Sequence, residues 1–265
     1  MIPKVIHYCW FGHNPLPPLA KKCIKSWKKH LPDYEIKEWN EDNFDINIIP
    51  YVKEAYNAKK YAFVSDYARF WILYHYGGLY FDTDVEIIRP IDHIVTRGAF
   101  MGCEDNVQEK KDLSINITFP SVAPGLGLGC NSGHELYKEI IDYYESIHFK
   151  NPDGSLNMTT VVKITTNILL KHGLKCVNTI QECAGITIYP KDFFCPISWK
   201  TGETKKTTNT VSIHHFAASW LPLDRQLKIH YPKLSKKHPK IFYYFVYLPR
   251  YEYAKWKNLI IRHFS

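Results

Sequence analysis

The sequence predicts an α/β sandwich built around a mainly parallel sheet, and three observations carry that expectation. β-branched and aromatic runs alternate with helical segments along most of the chain. The first forty residues read as β-α-β, a unit whose two strands lie parallel. The segment from about Tyr61 to Tyr76 is apolar on nearly every side, as a helix in a buried layer must be.

Taken in order, Ile2–Gly12 is a buried first strand that leaves through Asn14-Pro15 and places Trp10 at its carboxyl end. Pro18–His30 is a helix with Leu19, Cys23, Ile24 and Trp27 on one side and lysines on the other. Tyr34–Trp39 alternates as a half-buried strand, and Asn40–Asn43 is a turn. Tyr51–Lys59 is a short helix, followed by the apolar helix, which Gly77 and Gly78 terminate. Leu79–Phe81 is then a buried strand running into Asp82 and Asp84. Val85–Ile88 and Ala99–Gly102 are further strands.

Residues 106–114 read as charged and exposed. The glycines at 125, 127, 129 and 133 read as a flexible segment ahead of a helix from His134 to Ile147, either a close-approach loop beside a sugar or a plain connector. Their spacing is not a dinucleotide fingerprint, because they do not follow a strand inside a βαβ unit. A turn at Asn151–Gly154, a helix over Val161–Lys171 and a strand at Ile186–Pro190 follow. Phe193–Pro196 is expected to be packed and non-helical, and Val211–Phe216 is a strand carrying His214 and His215.

The chain has 265 residues, 45% of them hydrophobic and 15% aromatic, which is enough for one large domain with an appendage. Seven scattered cysteines without metal-type spacing, and no leader ahead of them, read as reduced core thiols of a cytosolic protein. No apolar run approaches the ~20 residues of a membrane span. The net charge of +8 resides in the C-terminal end: from Arg225 onward Glu252 is the only acid. That end is also aromatic, with Ile241–Leu248 and then Tyr253, Trp256, Ile260 and Phe264 near helical spacing. Such a segment suits an anionic membrane surface, or a helix packed on the main domain; no nucleic-acid recognition module accompanies it.

The chemistry gathers at Ser65–Glu86. Asp66 and Arg69 lie three apart on one face of an apolar helix, where charges need partners. Asp82 and Asp84 follow a strand, and two carboxylates there suit Mg²⁺ or Mn²⁺ carrying a diphosphate. Turn aspartates satisfied by local backbone are the plain alternative. A third reading is the opening motif of haloacid-dehalogenase-like phosphatases, with Asp82 as nucleophile and Asp84 as acid/base. It fits poorly, because that motif opens its domain and here a β-α-β unit precedes it. Trp10 can stack on a flat ring or simply fill the core. Adjacent His214 and His215 point to opposite faces of a strand, so one of them can face the site.

The ordered set IPKVIHYCWFG, FVSDYARFWILYHYGGLYFDTDVEI and IHHFAASW resembles the glycosyltransferase family 32 sugar-transferase region with its DxD motif, over roughly residues 2–221. That family includes initiating α-1,6-mannosyltransferases, capsule and lipopolysaccharide transferases and, more distantly, glucosylating toxin domains. The resemblance implies a GT-A-type nucleotide-sugar fold over residues 1–222, with 223–265 as a basic aromatic tail. It implies a metal-dependent, retaining transferase moving a hexose from a UDP- or GDP-sugar to a glycan or lipid-linked glycan, at the inner face of the cytoplasmic membrane if the tail attaches there. A non-catalytic nucleotide-sugar binder is the other possibility.

In that picture Trp10 stacks on the nucleobase, and Asp66 and Arg69 hold the donor sugar and diphosphate. Asp82 contacts ribose or sugar and reaches the metal through water, Asp84 ligates the metal, His215 closes the metal site, and Ser219 and Trp220 close over the diphosphate. The leaving phosphate takes the acceptor proton. A double displacement would need a carboxylate such as Glu104, Asp105, Asp153 or Glu203, none of which the sequence distinguishes; Asn131 and Asn157 are further candidates for sugar contacts.

Overall fold

A computed structural model describes residues 1–104, 121–198, 202–218, 221 and 223–255. The chain divides into two compact units, Met1–Pro196 with Lys205–His215, and Ile197–Thr204 with Phe216–Ser265. The expected charged segment 106–114, Asp105, Ser219, Trp220 and Trp256 lie outside the described residues.

The first unit contains β1 (Val5–Cys9), α1 (Pro18–His30), β2 (Glu35–Trp39), α2 (Pro50–Asn57), α3 (Tyr61–Tyr76), β3 (Gly78–Tyr80), β4 (Val85–Ile87), α4 (Asp92–Val95) and β5 (Phe100–Glu104). It continues with β6 (Ser121–Val122), a 3₁₀ turn (Pro124–Leu126), β7 (Leu128–Cys130), α5 (Glu135–Glu145) and α6 (Val161–Lys171). It closes with β8 (Gln181–Cys183), β9 (Ile186–Tyr189), α7 (Lys191–Phe194) and β10 (Ser212–His214). The sheet order is β2-β1-β3-β7-β5-β9-β8, with β6 paired to β5. The pairings make β2, β1, β3, β5 and β9 run one way, while β6, β7 and β8 run against them. The predominantly parallel α/β class is therefore borne out.

The parallel start follows from β1, which is buried from Ile6 onward and pairs with β2 on one side and β3 on the other. Helix α1 covers β4 with its apolar side: the Trp27 indole N–H donates to the Val85 carbonyl (2.7 Å), and Ser26 Oγ accepts from Ile87 N–H (2.9 Å). Helix α3 runs between its expected bounds, Tyr61 and Tyr76, with Asp66 and Arg69 buried among its apolar residues. Gly77, at φ +64°, ends it, its N–H bonded to the Leu73 carbonyl. Gly78, at φ +98°, starts β3 where an added Cβ would stand 2.7 Å from the Val5 carbonyl.

Two expectations are corrected. The glycine segment is no flexible connector: Gly125, Gly127 and Gly129 belong to the buried 3₁₀ turn and β7, which sits between β3 and β5. An added Cβ on Gly129 would meet Leu79 and Phe100 at 2.6 Å, and one on Gly127 would meet Phe81 at 2.8 Å, so large neighbours fill the space the side chains leave. Phe193 and Phe194 lie on a short helix, α7, because Pro190 at its N-cap sets the chain for a helical turn. All seven cysteines are free; six are buried and Cys176 is exposed.

In the second unit, α8 (Leu223–His230), α9 (Pro232–Lys237) and α10 (Pro239–Ile241) lead into helical chain through residue 255, with a π-helical stretch at Phe242–Tyr247. Leu227, Phe242 and Val246 form its small core. No helix among the described residues is long and apolar enough to cross a membrane.

Candidate nucleotide-sugar site

The carboxyl end of β3 carries the acids. From Tyr80 the chain runs through Phe81 to Asp82, whose N–H donates to the Gly125 carbonyl (3.1 Å) in the turn before β7. Asp82 offers a carbonyl to Val85 N–H (3.0 Å), so Asp82–Val85 is a tight turn that leaves the carboxylates of Asp82 and Asp84 facing inward. The close approach of backbone to carboxylate requires glycine: an added Cβ on Gly125 would lie 2.0 Å from Asp82 Oδ2.

Arg69, on α3, reaches this turn. Its Nη2 stands 2.8 Å from Asp66 Oδ1 and 3.3 Å from Asp82 Oδ1, and its Nε–H donates to the Ser65 carbonyl (3.1 Å). The Tyr80 hydroxyl donates to the same Asp82 oxygen (3.1 Å), and the guanidinium lies 5.0 Å from the Tyr80 ring centre. Nη1 is buried without a hydrogen-bond partner among the described residues, and it faces Gly125. Two carboxylates thus share one guanidinium that keeps a donor to spare. Burial pushes the Asp66 carboxyl up, to about 7, against the pull of Arg69; a backbone N–H at Val161, in the first turn of α6, favours its charged form. Burial likewise raises Asp82, opposed by Arg69 and reinforced by Asp84. Arg69 itself is held charged: burial works against it, but Asp82, Tyr80 and Asp66 outweigh that penalty.

Strand β10 supplies the histidine. It pairs antiparallel with β4, His214 opposite Val85, and this register turns His214 toward the aspartates, its Nε2 3.2 Å from Asp84 Oδ1. Asp82, Asp84 and His214 each present a ligand atom within 4.8 Å of the others. Burial disfavours the His214 imidazolium, yet the Asp84 carboxylate and Cys195 raise its pKa well above the ordinary value. His215 does not close this site, correcting the expectation for it. One residue past the end of the strand, it bonds Glu86 Oε2 (2.8 Å), which also pairs with Lys22 (2.8 Å).

Trp10 lies at the carboxyl end of β1, beside β3 in the sheet. Its backbone N–H donates to the Trp39 carbonyl (2.8 Å), its indole N–H donates to the Asn14 carbonyl (2.5 Å), and its ring stays half-buried. Asp153 is used within its own turn by Ser155, and Asn157 by Thr159 N–H and the His148 carbonyl. The residues sequence reasoning missed are His214 as the inward-facing histidine, Gly125 under Asp82, and Tyr80 on it. The histidine pair allowed one of the two to face the site, and the glycine run was the signal for Gly125.

The site is thus a DxD turn at a strand end of a layered α/β fold, beside a buried Arg–Asp pair. Residues 17–101 match the family described as "Glycosyltransferase sugar-binding region containing DXD motif". Among curated proteins, the chain is 29% identical over 111 residues to "Inositol phosphoceramide mannosyltransferase 1" of Schizosaccharomyces pombe, covering 38% of this chain and 33% of that one. It is 34% identical over 144 residues to "Inositol phosphoceramide mannosyltransferase 3" of the same yeast, covering 53% and 36% respectively. The chain thus spans about a third of the length of these relatives. Similar solved structures include "PaToxG Glycosyltransferase" (TM-score 0.44, 16% identity, 64% of this chain and 69% of that one). Galactosyltransferase LgtC with donor and acceptor sugar analogues is another (TM-score 0.43, 14% identity, 86% and 95%).

Proposed function

We propose that this protein is a metal-dependent, retaining glycosyltransferase that moves a hexose from a nucleotide-diphosphate sugar to a hydroxyl of a glycan or lipid-linked glycan. The observation that carries the reading is Arg69, a buried cation bridging Asp66 and Asp82 with Nη1 left over. A diphosphate or sugar oxygen beside Asp82 would take up that donor. Were the aspartates only pinning a turn, Asp82 would not need a guanidinium brought from the preceding helix. The phosphatase reading loses ground too, since the DxD follows the third strand of the sheet and Asp82 is held by Arg69 and Tyr80 rather than presented as a free nucleophile.

The donor set of two carboxylates and an imidazole fits Mn²⁺ or Mg²⁺, with Asp84, Asp82 and His214 as the residues that would hold it. When bound, such an ion supplies positive charge against the leaving diphosphate. The protein's own residues do the rest. Arg69 neutralises charge from the side of α3, Asp66 and Tyr80 fix its guanidinium and the Asp82 carboxylate, and Gly125 leaves room for that carboxylate against the backbone. In the step itself the bond from the sugar's anomeric carbon to the phosphate oxygen breaks as the bond to the acceptor oxygen forms on the same face, and the acceptor proton passes to the leaving phosphate. Trp10 serves the nucleobase. The named relatives support mannose as the hexose. The resemblance to capsule and lipopolysaccharide transferases is what supports surface-polysaccharide synthesis as the setting.

A thermal-shift panel of UDP- and GDP-sugars with and without Mn²⁺ tests the reading, because a tight ligand raises the melting temperature by mass action. One nucleotide sugar is expected to stabilise the protein only with metal, and Asp84→Asn to abolish the effect. Slow release of nucleotide diphosphate without acceptor then separates an enzyme from a binder. If no nucleotide sugar stabilises the protein, or Asp84→Asn responds like the wild type, the proposal is wrong.

A further inference from the structure

The second unit keeps a large apolar surface out of its own core. Phe242 and Val246 turn inward onto Leu227, with Leu223, Leu234 and Tyr247 packed against them. Their neighbours point away: Phe245 is 75% exposed, Tyr244 61% and Ile241 47%, and Tyr243, Tyr251 and Tyr253 are also exposed. Around this crown the charge is overwhelmingly positive. Lys236, Lys237, Lys240 and Lys255 are all exposed, and from Arg225 to the end ten lysines and arginines face a single glutamate.

We propose that the helical segment 239–255 is a docking surface for an anionic lipid leaflet. The side chains are graded as a leaflet is graded. Ile241 and Phe245 have no polar atom and suit the acyl boundary, the tyrosines carry a ring that prefers apolar surroundings and a hydroxyl that prefers water, and the lysines suit lipid phosphates. A protein partner fits less well, because lysine is depleted from protein interfaces. Nucleic acid fits less well because an exposed isoleucine offers bases no stacking face and phosphates no donor. This surface uses none of the residues of the donor site, so its test does not depend on the proposed activity.

The experiment is co-sedimentation of the full chain with phosphatidylcholine vesicles, with and without phosphatidylglycerol. Binding is expected only with the anionic lipid, and to weaken by at least about tenfold between low and physiological salt, since exposed charges are screened over that range. The double variant Tyr244→Ser/Phe245→Ser is expected to lose about tenfold or more of the vesicle binding at low salt. Its circular dichroism and melting temperature should match the wild type, because both side chains are exposed. Equal binding by the double variant, equal binding to neutral vesicles, or no binding to any vesicle would each overturn the proposal. So would self-association that is lost in the double variant, or displacement of the protein from vesicles by single-stranded oligonucleotide with the aromatic residues required for oligonucleotide binding.

Discussion

Arg69 Nη2 stands 2.8 Å from Asp66 Oδ1 and 3.3 Å from Asp82 Oδ1, so one buried guanidinium joins the middle of a helix to the turn that follows the next strand. Removing it leaves two acids facing each other without their cation. Arg69→Met is therefore expected to cost about 3–5 kcal/mol of stability, the usual result of breaking one side of a buried pair. Asp66→Asn keeps the shape and an acceptor for the backbone at Val161, and Asp82 still pairs with Arg69; its cost should be nearer 1 kcal/mol. Urea melts of the two variants at pH 7 make the comparison, and equal losses would show that Arg69 is not shared between the acids.

Gly125 and Gly133 separate a functional glycine from a conformational one. Gly125→Ala places a methyl group 2.0 Å from Asp82 Oδ2, so the turn or the carboxylate must move. Mn²⁺ affinity, measured by calorimetry, should fall at least about tenfold, together with about 1–3 kcal/mol of stability. Gly133 has φ +74° and open space around it, so Gly133→Ala strains the backbone and costs stability while Mn²⁺ affinity stays as it was.

The two adjacent histidines should behave oppositely. His214→Ala removes a candidate ligand and is expected to weaken Mn²⁺ binding by about 10–100-fold. His215→Ala breaks only the contact with Glu86, which keeps Lys22, and Mn²⁺ affinity should stay within about twofold, as for an outlying partner. Electron paramagnetic resonance of bound Mn²⁺ checks both, and a larger effect from His215 would reverse the assignment.

His7 gives the protein an acid limit away from the site. Trp39 Nε1–H donates to its Nδ1 (3.0 Å), so the ring is neutral with the proton on Nε2, which donates to the Gly77 carbonyl (3.1 Å). Burial lowers its pKa from 6.5 to about 4. Between those values the unfolded chain binds the proton and the folded chain does not. This contribution is therefore fully present above pH 6.5 and is lost as pH falls toward 4, by roughly 3 kcal/mol. Melts from pH 7 to pH 4 on the wild type and His7→Gln should show a steeper acid limb in the wild type.

Much of the fold was legible because local pattern and tertiary role agree in it. Helix α3 could be bounded at both ends, since its apolar run stops at glycines that only a terminator needs. The link from Asp66 and Arg69 to the DxD turn could be suspected, because a charged pair on an apolar face must be satisfied by something. Strand β7 could not be seen. Its glycines look like a connector, and the reason for them is the bulk of Phe81, Phe100 and Leu79 on neighbouring strands, which no local window contains. Which histidine faces the metal site was equally hidden, because that parity is set by the pairing of β10 with β4. The sequence allowed one of the two to face the site and could not say which.

That pairing also governs when the site can exist. Asp82 and Asp84 emerge early in the first unit, Gly125 comes from its middle and His214 from its last strand. Contacts so far apart in sequence form late, after the loops between them have closed. A chain still being synthesised, or cut anywhere before β10, would own the DxD turn without its third ligand. Under the proposed function, cation binding would thus be a completion signal for this unit, and a partly folded molecule would have little means of holding the ion.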